Sequence, residues 1–252
     1  MASTGISGQL KYGVGATADT YAGRVVGGEI HKDSGLVWRP SAGCKNAPGL
    51  GGPVSIGGSA TIEVANATLL SYFTRTSYTS PALTALTFEG GVLGDISYGW
   101  TQTGCKINSL NVSVGVGEAL TAALEWLALD EAENAAPSAP TFAGTHWEWF
   151  WGECTLNGST YKLQRMNLTA SNNCELISSV ENKVTNTVRL PEAIKVGKFT
   201  ASLSAEMLTR PSTSLWNMHE DSPLVTGTAL IQVADGTNTL SFTLTGMTGR
   251  AA

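Results

Sequence analysis

The sequence predicts a mainly all-β protein, a β-sandwich or partly closed barrel of roughly ten to twelve short strands with one short helix and long loops or arms. Three observations predict it. Apolar and polar residues alternate with period two in several segments, the mark of half-buried strands. Glycine pairs and an Asn-Gly step punctuate the chain, as tight turns require. Charged residues make up only 14% of the 252 residues, against roughly 25% in an average globular domain, and Ser, Thr, Gly and Asn take their place. The length suits one large all-β domain or two small ones, and roughly 70% or more of the unfolded chain's surface would be buried.

Residues 1–52 are Gly-rich and irregular: GVGATADTYAG, VVGG, PSAGCKNAPGLGG. They read as loops or an extended arm lying across a neighbouring subunit, and short strands fit only at 24–30 and 36–38. Residues 53–252 are the expected β core of a single domain. The run 54–64 is strand-like. Asn66 is placed to cap a short helix through ANATLLSYFTR, with Leu69, Leu70 and Phe73 as its apolar stripe. Pro81 and Gly90-Gly91 bracket a short strand at 85–89, and 95–102 leads into a central hairpin.

In that hairpin Leu110, Val112, Val114 and Val116 share one parity, against Asn111, Ser113 and Gly115. Gly115-Val116-Gly117-Glu118 supplies glycines that tolerate positive φ in a turn. On the return arm Leu120, Ala122, Leu124 and Trp126 face one way, and Thr121, Ala123 and Glu125 the other. Propensity alone favours a helix over this Ala/Leu/Glu-rich arm. A strand is preferred because a second segment repeats the pattern. There Met166, Leu168 and Ala170 alternate with Asn167, Thr169 and Ser171. Further on Phe199, Ala201, Leu203, Ala205 and Met207 alternate with Thr200, Ser202, Ser204 and Glu206. GEALTAALEWL and GKFTASLSAEM thus read as two copies of one hairpin unit. Around them, DEAENAAPSAPTFAGT reads as a polar loop and HWEWFW (146–151) as an aromatic strand. Asn157-Gly158 is a hairpin turn, and 224–233 with 239–244 forms a last hairpin.

Charge is uneven. Residues 1–88 carry six basic and four acidic groups, 89–153 carry nine acids and only Lys106, and 154–252 carry eight basic and seven acidic groups, giving +2, −8 and +1. The acidic middle is either a solvated face or a surface that repels a polyanion or meets a basic partner. No basic cluster is dense enough for tight DNA binding. No run of 18 apolar residues would span a membrane, and MASTGISGQLKYGVG lacks the apolar stretch of a signal peptide. Cys44, Cys105, Cys154 and Cys174 are therefore expected to stay reduced, and the sequons at Asn66, Asn111, Asn157 and Asn167 to be coincidental.

No catalytic constellation emerges. The cysteines show no C-x-x-C, and His31, His146 and His219 lack zinc-site spacing. His146-Trp147-Glu148 matches the H-x-E of zinc deaminases without their later P-C-x-x-C. His219-Glu220-Asp221 sits in a Pro-flanked loop, with no G-x-S-x-G elbow anywhere. Gly197-Lys198 lacks the rest of a phosphate loop, Gly13-x-Gly15-x-x-Ala18 is a partial dinucleotide match without its context, and no carboxylate pair stands out for glycoside hydrolysis. The expectation is no enzyme, no cofactor and no metal. The cluster Trp147, Trp149, Phe150 and Trp151 either stacks on sugars or packs in a core or subunit interface.

Several stretches resemble the major tail tube proteins of long-tailed, siphovirus-like bacteriophages: Pro81-Ala82-Leu83-Thr84 to Glu89, GCKINSLNVSV with its following Gly-Glu, MNLTASNNCE, and LPEAIKVGKFTASLSAEM. GVGATADTYAG resembles the family's opening. The likeness covers most of the chain, most clearly 81–208. The Ala/Leu-rich arm at 118–129 departs from it, since the family has more β-branched and polar residues there. The resemblance implies a structural virion protein forming hexameric rings that stack into a hollow tail tube, a conduit for genome ejection. Each subunit would add strands to a continuous barrel, with arms locking ring to ring. It also implies assembly in the host cytoplasm, tape measure and tail-end proteins as partners, and double-stranded DNA passing an acidic bore without tight binding. Glu118 and Glu125, on the polar side of the hairpin, are the lining candidates. The rival functions are a virion adhesin or carbohydrate-binding module using Trp147, Trp149 and Trp151, and an enzyme with unrecognised carboxylates.

Overall fold

The computed structural model describes residues 9–33, 36–38, 49–51, 53–65, 68–74, 82–92, 98–134, 151–156, 159–178, 190–207, 225–234 and 239–249. In chain order the elements are β1 (Gln9–Val14), β2 (Thr20–Asp33), β3 (Leu36–Trp38), β4 (Gly49–Gly51), β5 (Ser55–Val64), α1 (Thr68–Ser71), β6 (Leu86–Val92), β7 (Tyr98–Gly115) and β8 (Thr121–Ala128). There follow β9 (Asp130–Asn134), β10 (Trp151–Leu156), β11 (Ser159–Ser171), β12 (Glu175–Ile177), β13 (Ala193–Lys195), β14 (Thr200–Met207), β15 (Val225–Ala234) and β16 (Thr239–Gly249). The chain divides into two compact units: 1–111 with 122–145 and 169–201, and 112–121 with 146–168 and 202–252.

In the first unit β7, β6, β1, β2, β5 and β8 pair in that order, and β8 pairs back to β7, closing a six-stranded barrel. Closure removes the exposed edges that an open sheet would carry. A barrel this small needs sharp bends, and the register shifts supply them between Leu10 and Lys11, Val25 and Gly27, and Leu86 and Phe88. The last is a bulge at Gly104, whose φ is +66°. It re-aims β7: Trp100 and Gln102 are buried before it, Cys105 and Ile107 after it.

The buried rings of Phe88, Trp100 and Trp126, from β6, β7 and β8, meet at centroid separations of 4.6 Å (Phe88–Trp126) and 6.3 Å (Trp100–Trp126). Burying each large side chain contributes roughly 1.5–3 kcal/mol. Gly58 makes room for them, since a Cβ there would stand 2.5 Å from Cζ2 of Trp126. One polar residue sits among the rings. Gln102 accepts the indole N–H of Trp126 at 2.6 Å and donates to the Gly57 carbonyl at 3.0 Å and to Glu131 Oε2 at 2.7 Å.

Several expectations change here. Of residues 1–52, read as loops or an arm with short strands only at 24–30 and 36–38, 9–14 and 20–33 are barrel wall: β1 pairs with both β2 and β6, and β2 with β5. The glycines that made the stretch look irregular serve close approach, as at Gly23 (φ +156°), where a Cβ would collide with the Glu63 carbonyl. DEAEN is not loop but β9, paired with β7. Gly90 and Gly91 lie inside β6 rather than ending it, because the Trp100 ring lies over Gly90. The helix is a single turn with Leu69 and Leu70 buried as expected, and Phe73, expected in its stripe, is buried just beyond its end; Asn66 lies outside the described residues. Sixteen strands are present among the described residues, not ten to twelve.

In the second unit β16, β15, β10 and β11 pair in sequence, and β14 also pairs with β11. β10 and β11 face each other with Leu156 opposite Ser159, and β15 and β16 with Ala234 opposite Thr239, the two hairpins the sequence foretold. Cys154, Tyr161, Leu163, Met166 and Leu168 are buried. The buried parity of β11 switches between Leu163 and Met166, leaving Gln164 and Arg165 both exposed.

Candidate assembly interface

The return arm of the central hairpin is a strand, β8, with Ala122, Leu124 and Trp126 at most 2% exposed. Its turn forms as the glycines require: Glu118 N–H donates to the Gly115 carbonyl at 2.9 Å, and Gly117 has φ +76°. Val116, expected on the buried face, sits at the tip and is 70% exposed, because the turn lifts it out of the strand alternation. Its N–H donates to the Gln164 carbonyl of β11 at 3.1 Å.

Glu118 is exposed in this turn. Its carboxylate folds back over Gly115, where a Cβ would come within 2.6 Å of Oε2, and stands 3.7 Å from Arg165 Nη2. Gly115, Val116, Glu118, Gln164, Arg165 and Glu206 line a shallow open cleft of about 370 Å³. Glu125 is exposed on β8, and its Oε2 accepts from Ser109 Oγ at 2.9 Å. Trp147 and Trp149 lie outside the described residues, and Trp151 opens β10 opposite Ala234.

Strand edges distinguish this protein further. β9 carries Asp130, Glu131 and Glu133, the charges with which proteins guard an edge against foreign strands. β16 has no such guard. Its eleven residues, TLSFTLTGMTG, contain no charge and no proline, and among the described residues it pairs with β15 alone. A long, uncharged, β-prone edge is a template for another chain.

Sequence reasoning missed three buried polar residues: Gln102, Thr87, whose hydroxyl donates to the Gly15 carbonyl, and Asn172. The Nδ2 of Asn172 donates to the carbonyls of Phe73 at 3.0 Å and Ile107 at 3.1 Å, and its backbone N–H donates to the Asn108 carbonyl at 2.7 Å. Nothing in a lone Gln or Asn among Thr and Ser residues signals burial. Burial pushes the Cys105 thiol up to about 12 and the Cys154 thiol up to about 11, so both stay protonated at neutral pH. Among the described residues no group of three or more His, Cys, Asp or Glu could hold a metal ion, and no helix is long and apolar enough to cross a membrane.

A closed barrel in one unit and, in the other, a sheet that ends among the described residues in an uncharged strand define an all-β protein. The family model described as phage tail tube protein matches residues 10–252, nearly the whole chain, and the chain belongs to that family. It is accordingly a structural protein of the phage tail. A search of the curated proteins finds no match.

Proposed function

We propose that six copies of this chain close into a ring, that rings stack into a hollow tail tube, and that the genome leaves through it. The observation that carries this is the unguarded edge of β16, supported by membership of the family. An edge of this kind costs a lone protein solubility, and its backbone donors and acceptors are satisfied when a neighbouring copy completes the ladder. The tube would be assembled in the host cytoplasm. It would enclose the tape measure protein, end on tail-end proteins, and let double-stranded DNA pass without tight binding. Glu118 and Glu125 would line the bore.

Electron microscopy of the purified protein tests the reading, with rings or tubes of one diameter as the expected result. Ser241 and Thr243 are exposed on β16. Changing both to Lys gives the edge the guard it lacks, and should abolish tubes while leaving the circular dichroism and melting temperature of the single chain unchanged. Normal tubes from S241K/T243K would remove β16 from the ring contact.

A further inference from the structure

We infer that Asn172 is a joint: it couples the ribbon of β12 and β13 to α1, so that whatever orders or loosens the ribbon does the same to the helical turn. The inference is independent of the tube reading. Among the described residues β12 and β13 pair only with each other, Glu175 opposite Lys195, Leu176 opposite Ile194 and Ile177 opposite Ala193. Glu175, Ile177, Ala193 and Lys195 are exposed, whereas Leu176 is half-buried and Ile194 buried. A two-stranded ribbon is marginal by itself, so its order depends on what holds its roots.

Both roots are held at one place. On the β12 side the Cys174 N–H donates to Asn108 Oδ1 at 2.7 Å, and on the β13 side the Gly197 N–H donates to the Asn172 carbonyl at 3.1 Å. Asn173 Nδ2 ties the two sides together through the Lys198 carbonyl at 2.6 Å, and Lys106 Nζ reaches the Ile194 carbonyl at 3.1 Å. The fully buried Asn172 side chain then crosses to α1. An amide nitrogen has two N–H groups; here one goes to Ile107 on β7 and the other to the carbonyl of Phe73, just past the helical turn. The Phe73 ring also stands 5.9 Å from that of Phe199, beyond the second root. All these residues belong to the first unit. A single helical turn is as marginal as the ribbon. Two marginal elements that share one buried donor group do not open independently, because opening either strains or unpairs the bonds the other relies on.

Hydrogen exchange of the full chain tests this. Ile177→Gly with Ala193→Gly loosens the ribbon at an exposed pair. It should speed exchange of the Phe73 N–H, which donates to the Leu70 carbonyl, about fivefold or more, while the amides of β1, β2 and β5 exchange as in wild type. Coupling is reciprocal. Ser71→Gly in α1 should therefore speed exchange of the Glu192 N–H, which donates to the Ile177 carbonyl. Asn172→Ala removes both side-chain donors, and in that background the ribbon variant should no longer move Phe73. Should N172A fail to fold, Phe199→Ala decides. Coupling that survives F199A supports the joint at Asn172, and coupling lost in F199A assigns it to the ring contact and overturns the inference. It is overturned as well by unchanged Phe73 exchange in I177G/A193G, by equal acceleration in the N172A background, or by acceleration spread evenly over the barrel.

Discussion

Gln102 shows how one side chain can tie a barrel together. Its amide meets three partners from three different strands: Trp126 on β8, Gly57 on β5 and Glu131 on β9. Gln102→Leu keeps the volume but leaves the buried indole N–H without an acceptor, a loss of about 1–3 kcal/mol. Urea unfolding should show it as a lower midpoint at unchanged slope. In a double-mutant cycle with Trp126→Phe the two losses should fall short of adding, and full additivity would disprove the coupling. Ionisable residues in the interior give a second prediction. Burial raises Cys105 from its ordinary 9.0 to about 12 and Cys154 to about 11, and burial, then Tyr72 and Asp19, raise Tyr12 from 10.0 to about 12. Below pH 9 these groups are neutral in both folded and unfolded chains, so their contribution to stability is constant. Between pH 9 and 12 the unfolded chain loses protons that the folded one retains, and stability falls as pH rises. Urea midpoints at pH 8 and 10.5 should differ, and Cys105→Ala should narrow that difference; an equal drop in the variant would assign the effect elsewhere.

At the scale of elements, the hairpin of β7 and β8 shows tertiary pattern overriding propensity. Ala, Leu and Glu favour helix by tenths of a kcal/mol per residue, but burying Leu124 and Trp126 is worth several times more, and only a strand puts Ala122, Leu124 and Trp126 on one side. The turn fixes this register, and Gly117 at φ +76° fixes the turn. Gly117→Val should therefore destabilise the chain by about 1–3 kcal/mol, read as a fall in melting temperature, while Val116→Thr beside it should have almost no effect. If G117V melted like wild type, the turn would not set the register. The same comparison explains what could be read in advance. Strands whose burial comes from strict alternation, such as Met166, Leu168 and Ala170 in β11, were legible. β1 was not, nor was β2 beyond its middle at 24–30, because glycines chosen for close approach look like turn glycines. β9 was not, because the acids that guard an edge look like a solvated loop. The parity change at Gly104 depends on a bulge, which a single glycine signals weakly, and the parity change at Gln164-Arg165 is signalled by nothing in those residue types. Of the assembly interface, β16 was visible in the sequence as an arm of the last hairpin; its place at the sheet edge was not.

For the whole molecule, on the proposed tube reading, a wall meant to pass DNA would keep a cation beside one of the acids proposed to face it. The chain carries −5 overall, so copies repel one another weakly and DNA as well. Beside the proposed lining acid lies Arg165, a guanidinium able to grip a phosphate with two hydrogen bonds. Glu118 stands 3.7 Å from it. The pair is exposed on both sides, so it contributes little to folding; its effect is to occupy the cation. On the proposed bore-facing placement, Glu118→Gln uncovers Arg165 and gives passing DNA a point of adhesion, whereas Glu125→Gln only removes one repelling charge beside Ser109. The expected order of DNA ejection rates from triggered particles at low salt is wild type, then E125Q, then E118Q slowest. Adding Arg165→Gln to E118Q should restore most of the rate, because the adhesive group goes with it. Raising salt from about 0.1 M to 1 M shrinks the screening length from roughly 10 Å to 3 Å and should bring all four proteins together. If E118Q ejected at the wild-type rate in tubes of normal appearance, the Glu118–Arg165 pair would belong to the outer surface or to the ring contacts, and the bore would have to be lined by other residues.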